Sequence, residues 1–449
     1  MFENVLGQAA AAQLTVDIET GILAPAMLFS GPPASGKGTA ALELGRVISC
    51  EAAPRKAPWG CQCPSCLRHR LLIHPDLLCL GSRPFSAEIA AAAGAFLREP
   101  ENSSSRLLFI RAIRKLLARF NPVLWEDETK KGKIAIAPMV NSLEEDIDEF
   151  DALTKAAGEN RDALIKLTAG MKKNAFKLES EGLSETIPID RLRRAAWWGR
   201  LAPTGNGKLI IIENSDRMQE EARNSLLKLL EEPPARLTLA LTTSRPGSLL
   251  PTMLSRLRPY RFSARDSGVE ADVIRRVFRD NQGSKISAYL DSFLPVSPDT
   301  MNALAAFFAA SVAYKAALLS KRQGRTISNE VILLGKFSAP RAEAAGLGRP
   351  QGEVAAVTAL ILEKADKFEV RSLFSKFLCC ILEHVSLSQR HSNLEENDSP
   401  YSFLPSVAYN EVWKKCTSWG ETAAVSYRLS PALVLEKLFT SLSRGMAEL

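Results

Sequence analysis

Residues 24–39 read APAMLFSGPPASGKGT. Met27, Leu28 and Phe29 suit a short buried strand, and the glycines after it suit a loop that opens into a helix over 38–50. Gly31, four intervening residues, then Gly36 and Lys37 have the spacing of a phosphate-binding P-loop. Glycines let the backbone wrap so that its N–H groups face phosphate oxygens. The N-terminus of the following helix adds a positive dipole end, and Lys37 is placed to neutralise the outer phosphates. The candidate nucleotide contacts are Gly31, Gly36, Lys37, Gly38 and Thr39. The usual motif puts Ser or Thr directly after the lysine, as a magnesium ligand. Here Gly38 intervenes and the hydroxyl belongs to Thr39. The same GKGT spelling occurs in adenylate kinases, so ATP with Mg²⁺ stays open as a ligand pair.

Working outward, LLCL at 77–80, LIII at 209–212 and LTLALTT at 237–243 are further strand candidates separated by helical patterns. That alternation predicts an α/β fold with a mostly parallel sheet. The third candidate opens the stretch KLIIIENSDRMQEEARNSLLKLLEEPP, residues 208–234. In a P-loop hydrolase such a strand ends in two acids, one facing magnesium and one orienting water. This one ends Glu213-Asn214. An amide accepts no proton as a carboxylate does, whereas Glu213 keeps a carboxylate that faces the metal position. Two parts of a hydrolytic set are therefore altered.

Cys50, Cys61, Cys63 and Cys66 crowd into seventeen residues. Four thiolates so close predict one tetrahedral Zn²⁺ site with every position filled by protein, which makes the metal structural. His69 and His74 are nearby substitutes, and the C-x-C at 61–63 is tighter than the usual C-x2-C. Cys79, inside an apolar run, reads as core.

Between about 90 and 185 the strand–helix rhythm breaks, and the region reads as a helical insertion. Phe109, Ile110, Ile113, Leu116, Leu117 and Phe120 share one helical face. Arg111, Arg114, Lys115 and Arg119 take the rest, as a solvated face or, alternatively, a nucleic-acid contact. Ser142 with Glu145 has the form of a capping box. Trp197-Trp198 suits base stacking or, by the alternative preferred here, a subunit contact or packing on the sheet. Beyond about 265 the pattern is mainly helical, and 391–403 reads as a polar loop.

With 449 residues, 46% hydrophobic and 24% charged, the chain has the make-up of a soluble globular protein of about three domains. A net charge of +7 tolerates a polyanionic partner without requiring one. The N-terminus lacks the basic and apolar segments of a secretory signal, and no long uncharged apolar run reads as a membrane span, so a cytoplasmic location is expected.

Several motifs in order resemble the clamp-loader subunits of bacterial DNA polymerase III, within the AAA+ ATPases. They are VLGQ at 5–8, GPPASGKGT at 31–39, the cysteine cluster, HPD at 74–76, NSLLKLLEEPP at 224–234 and LPTMLSRL at 250–257. In the last, Leu257 stands where the family has Cys. The resemblance implies an AAA+ core over 1–265 carrying the zinc module (about 50–66) and the insertion, a helical lid over 266–335 and a helical collar domain over 336–449. It places Thr243 at the sensor-1 position. It places Arg256 as an arginine finger acting in trans on a neighbour's ATP, with Arg258 as rival. Glu213-Asn214 is similar to the delta-prime type, whose own ATPase is weak or absent. Partners implied are gamma/tau and delta subunits, the sliding clamp and primed DNA through the complex, with no membrane. A gamma/tau-like subunit hydrolysing its own ATP is the alternative; a nucleotide kinase or a DNA-binding scaffold explains fewer of the motifs.

Overall fold

The computed structural model describes residues 1–52, 57–81, 83–125, 130–155, 161–184, 186–283, 285–365, 371–395, 407–425 and 429–449. They form two compact units, Met1–Phe293 and Leu294–Leu449.

The first unit is built on five strands, β1 (Ala26–Ser30), β2 (Leu77–Gly81), β3 (Lys208–Glu213), β4 (Leu237–Thr243) and β5 (Arg258–Arg261). All pair in parallel, in the order β2-β3-β4-β1-β5. Its helices are α1 (Ala9–Glu19), α2 (Lys37–Ile48), α3 (Pro64–Arg70), α4 (Ser86–Arg98), α5 (Ser103–Leu117), α6 (Lys130–Lys155), α7 (Arg161–Gly182), α8 (Ile189–Arg200), α9 (Glu220–Glu231), α10 (Pro251–Leu254), α11 (Ser267–Phe278) and α12 (Ile286–Asp291). The four apolar runs of the sequence are β1 to β4. Because side chains alternate along a strand, each feeds two cores. Met27, Phe29, Leu209 and Ile211 face a cluster with Leu14, Ala40 and Leu44. Leu28, Ile210, Ile212, Leu239 and Leu241 face a larger one with Phe85, Phe96, Phe109 and Phe150.

That larger core contains the insertion. The six apolar residues expected on one helical face, five of them on α5 and Phe120 just beyond it, are all buried. The basic face is engaged largely within the fold rather than left as a solvated face. Arg111 donates to Arg70 O at 2.6 Å, Arg114 to Leu71 O at 3.0 Å, Lys115 pairs with Glu88, and Arg119 is buried against Glu213. Arg119 is buried and the other three are half-buried, each fastened to a neighbouring segment. Ser142 caps nothing, because α6 runs unbroken from Lys130 through it.

The second unit is helical: α13 (Pro298–Arg322), α14 (Asn329–Ala344), α15 (Val354–Lys364), α16 (Arg371–Glu395), α17 (Val407–Val425) and α18 (Pro431–Glu448). Helix α13 is long and apolar enough to cross a bilayer by length and composition, yet 67% of its most apolar stretch is buried. Met301, Leu304, Phe307, Phe308 and Val312 are its share of the unit's core. The expected 266–335 segment is therefore divided. Helices α11 and α12 pack on α4 through Ile274, Phe278, Ile286 and Tyr289, whereas α13 is a core helix of the second unit. Helix α16 extends to Glu395, so the first residues of the loop expected over 391–403 are helical; residues 396–406 lie outside the described residues.

Candidate phosphate and metal sites

Parallel strands bring their carboxyl ends to one edge of the sheet, where ligands of open α/β folds bind. Ser30 is in register with Thr243, and Gly81 with Glu213. The P-loop leaves β1 between β4 and β5. Its path needs positive φ at Ala34 (58°) and Gly36 (95°), and Gly36 then caps α2. Lys37 is buried, and its Nζ donates to Gly31 O at 2.7 Å and Pro32 O at 2.6 Å. Burial, partly offset by Asp216, brings its ammonium down to about 8. Arg265 straps the loop, donating to Ala34 O at 2.5 Å and to Leu6 O at 2.9 Å. The VLGQ box closes the same corner. Gln8 donates to Ser263 O and accepts from Ser263 N, both at 3.0 Å.

The neighbouring strand ends explain the unusual letters. Asn214 has φ 51° and ψ 54°, the left-handed region that asparagine enters more readily than most side chains. The amide thus has a backbone reason. Thr243 is buried and donates to Asp216 Oδ1 at 2.6 Å, so these two side chains form one polar pair beside Lys37.

Glu213 is buried, and one of its oxygens carries both of its ion pairs. Oε2 accepts from Arg83 Nε at 2.9 Å and from Arg119 Nη2 at 2.5 Å. Oε1 lies 2.9 Å from where a Cβ on Gly38 would stand. Glu88 accepts from Arg83 at 2.8 Å and also pairs with Lys115. Burial alone would raise the Glu213 carboxyl; Arg119, Arg83 and Lys115 outweigh it and hold the carboxyl below its ordinary range. In P-loop NTPases the divalent cation is held by a hydroxyl after the lysine and by an acid on this strand. Gly38 offers no oxygen and Glu213 already carries two guanidinium counter-ions, so this donor set does not fit Mg²⁺. Arg83, Glu88, Lys115 and Arg119 were not assigned to the site from sequence, because nothing local to them signals where their charges go. Thr39, whose hydroxyl comes one residue later, lies within α2; the hydroxyls of Ser35 and Ser244 lie 3.3 Å and 3.4 Å from Lys37 Nζ.

The four cysteines do converge. Their Sγ atoms all lie within 4.8 Å of one another. Cys50 Sγ is 3.8 Å from Cys61 Sγ and 4.0 Å from Cys63 Sγ. A zinc–sulfur bond of about 2.3 Å gives a tetrahedron edge of about 3.8 Å, whereas a disulfide would need about 2.05 Å. The spacing suits a shared metal. Cys63 also caps α3, its sulfur accepting from Cys66 N at 3.4 Å. Neither His69 nor His74 joins the group. His74 instead bonds Ser65 Oγ at 3.0 Å and accepts from Asp76 N, and Asp76 accepts from Thr204 N and Gly205 N. The HPD motif is therefore a turn that pins a distant loop. Cys79 is core, as expected.

Arg256 follows α10 and is exposed. It donates to Thr252 O at 2.8 Å and pairs with Glu231 at 2.8 Å. Glu231 ends α9, the helix of NSLLKLLEEPP, whose Ala222, Leu226, Leu229 and Leu230 are buried. Leu257, next to Arg256, is buried in the larger core. Arg258 opens β5 and is also exposed. The tryptophan pair splits: Trp198 is buried with Lys208 Nζ 4.2 Å from its ring centre, and Trp197 is 47% exposed.

A parallel sheet with a P-loop between β1 and α2 defines an α/β core of the P-loop class, and it fits the AAA+ arrangement that the motifs imply. The family model described as DNA polymerase III, delta subunit, matches residues 7–145 and 151–266, more than half of the chain, and the chain belongs to that family of clamp-loader subunits. The match runs through the insertion, which the quoted motifs had left uncovered. Similar curated proteins are the DNA polymerase III subunit delta' of Pseudomonas aeruginosa, 36% identical over 106 residues, and that of Escherichia coli, 32% identical over 93 residues. The matched segments cover 23% and 20% of this chain, and 32% and 28% of those proteins, so the chain spans about a third of the curated relatives it matches. A solved gamma subunit-related protein of Thermotoga maritima is 18% identical, with 58% of this chain and 80% of that one covered and a TM-score of 0.22.

Proposed function

We propose that this chain is a delta-prime-type subunit of the DNA polymerase III clamp loader. It joins a ring with gamma/tau and delta subunits and places Arg256 against the ATP of a neighbour. In that role it helps load the sliding clamp onto primed DNA while hydrolysing little or no ATP itself. The observation that carries this reading is an asymmetry. Arg256 is exposed and held by a surface carboxylate, while Glu213 is locked inside the fold. Releasing Arg256 from a solvent-exposed pair costs no more than about 1 kcal/mol. An arginine delivered to a γ-phosphoryl accelerates transfer by about 10³–10⁵ in other NTPases. Leu294–Leu449 is assigned the oligomerisation role, and the four cysteines a structural zinc ion. The test is ATP turnover by the complex reconstituted with its cellular partners. Arg256→Ala should abolish clamp-stimulated turnover while assembly persists, and Arg258→Ala should not. Unchanged turnover in Arg256→Ala refutes the assignment; ATP turnover by the isolated chain, lost in Lys37→Ala, favours the gamma/tau type instead.

A further inference from the structure

The end of β3 carries an unusual balance of charge. Arg83, Lys115 and Arg119 surround two carboxylates, Glu88 and Glu213, so this half-buried to buried group holds one positive charge in excess. Arg119 is only 4% exposed, and its Nε and Nη1 have no hydrogen-bond partner among the described residues. Its guanidinium also lies over the Phe85 ring, 5.5 Å from the centre. A second metal ion would enter a low-dielectric region that is already cationic, where like charges repel strongly. An anion entering the adjacent P-loop meets the opposite field. The space is closed as well as the charge: the carboxylate oxygen next to Gly38 fills the volume that a metal-binding hydroxyl residue would need. The other acid at this edge, Asp216, is engaged by Thr243 and attracts Lys37.

We propose that the P-loop takes the phosphates of a nucleotide as a metal-free anion, with Arg83 and Arg119 serving as the fixed counter-ions of Glu213 in place of a divalent cation. The proposal rests on the reading of this pocket as non-catalytic, and it adds what the pocket still binds. Lys37, the P-loop amides and the end of α2 hold the phosphates. Nothing positions a metal-activated γ-phosphoryl, so the nucleotide is bound and exchanged without hydrolysis.

The experiment uses the full chain with a fluorescent ADP analogue, titrated once in excess Mg²⁺ and once in EDTA. The two affinities should agree within about threefold. Electron paramagnetic resonance of Mn²⁺ with ADP should show the metal spectrum unchanged on adding the chain. Lys37→Ala, checked for its fold by circular dichroism, should lose the nucleotide. Affinity at least about tenfold higher with Mg²⁺ would overturn the proposal, as would Mn²⁺ immobilised by the chain and released in Glu213→Gln or Asp216→Asn. Absence of ADP binding in both buffers, or binding that persists in Lys37→Ala, would overturn it too. These readouts need no partner subunit. They stand or fall separately from turnover in the complex carrying Arg256→Ala.

Discussion

Gly38→Ala is the smallest change that tests the arrangement around Glu213. A Cβ there meets Glu213 Oε1 at 2.9 Å, whereas ordinary contacts begin near 3.4 Å. Turning the carboxylate away from the new Cβ strains the 2.9 Å and 2.5 Å bonds that Arg83 and Arg119 make to its other oxygen, Oε2. Losing one charge-assisted hydrogen bond costs about 1.5–3 kcal/mol. Alanine returns up to about 1 kcal/mol through helix propensity. The net destabilisation expected is about 0.5–2 kcal/mol. Gly170→Ala is the control. Gly170 lies inside α7 with no atom within 4 Å of the added Cβ, so the same substitution should stabilise by about 1 kcal/mol. The difference between the two variants, about 1.5–3 kcal/mol, isolates the contact with Glu213. Hydrogen exchange of β3 amides, followed by mass spectrometry, reads the opening of this unit without assuming that the whole chain unfolds as one. Exchange should be about ten- to 150-fold faster in Gly38→Ala than in Gly170→Ala. Equal rates would refute the reasoning. So would a cost for Gly38→Ala that is undiminished in a Glu213→Ala background, since the clash is then not with the carboxylate.

Two further outcomes follow from other parts of the molecule. Cys66→Ser should abolish a stoichiometric metal content measured by mass spectrometry, and exchange should quicken over 57–72, because a four-ligand site loses a vertex that is itself buried. In the second unit, His384 is buried and bonded to Ser338 Oγ at 2.8 Å, and burial, with Arg341 adding to it, pushes its imidazole down to about 4. The unfolded chain takes up that proton near pH 6.5, so stability is full above that pH and drains as pH falls toward 4. The loss approaches about 3 kcal/mol. Calorimetry between pH 7 and 4 should show this slope, and His384→Gln should flatten it.

What the sequence makes legible is what has a local signal. Strands β1 to β4 announce themselves because each is an apolar run buried on both faces. β5 does not. Its residues are Arg258, Pro259, Tyr260 and Arg261, only Tyr260 is buried, and a proline is tolerated because the strand lies at the sheet edge. The P-loop and the cysteine cluster were readable because their spacing is their chemistry. The apolar face of α5 was readable from its period, but the fate of its cations was not. Arg111 and Arg114 end on carbonyls some forty residues earlier, and Arg119 on a strand 94 residues later. Composition cannot distinguish such a residue from one facing water. As a letter Asn214 reads as a missing catalytic carboxylate; its left-handed backbone belongs to φ and ψ rather than to the letter.

These long-range pairs change what the insertion is. Arg119 follows α5, Lys115 lies on it, and Glu88 opens α4, which α7 caps through Glu179, a side chain accepting from Phe85 N at 3.1 Å and Ser86 Oγ at 2.7 Å. Glu213 is thus held in a network whose other members come largely from the insertion and its flank. Breaking one partner of a buried pair strands the other and typically costs about 3–5 kcal/mol. A hydroxyl at position 38 would therefore not restore a magnesium site: the added side chain would press on a carboxylate that two guanidinium groups hold in place. Recovering such a site requires a shorter acid at 213, a hydroxyl at 38 and removal of both Arg83 and Arg119, together with new partners for Glu88. The same contacts that fasten the insertion to the sheet keep the P-loop from acquiring a metal.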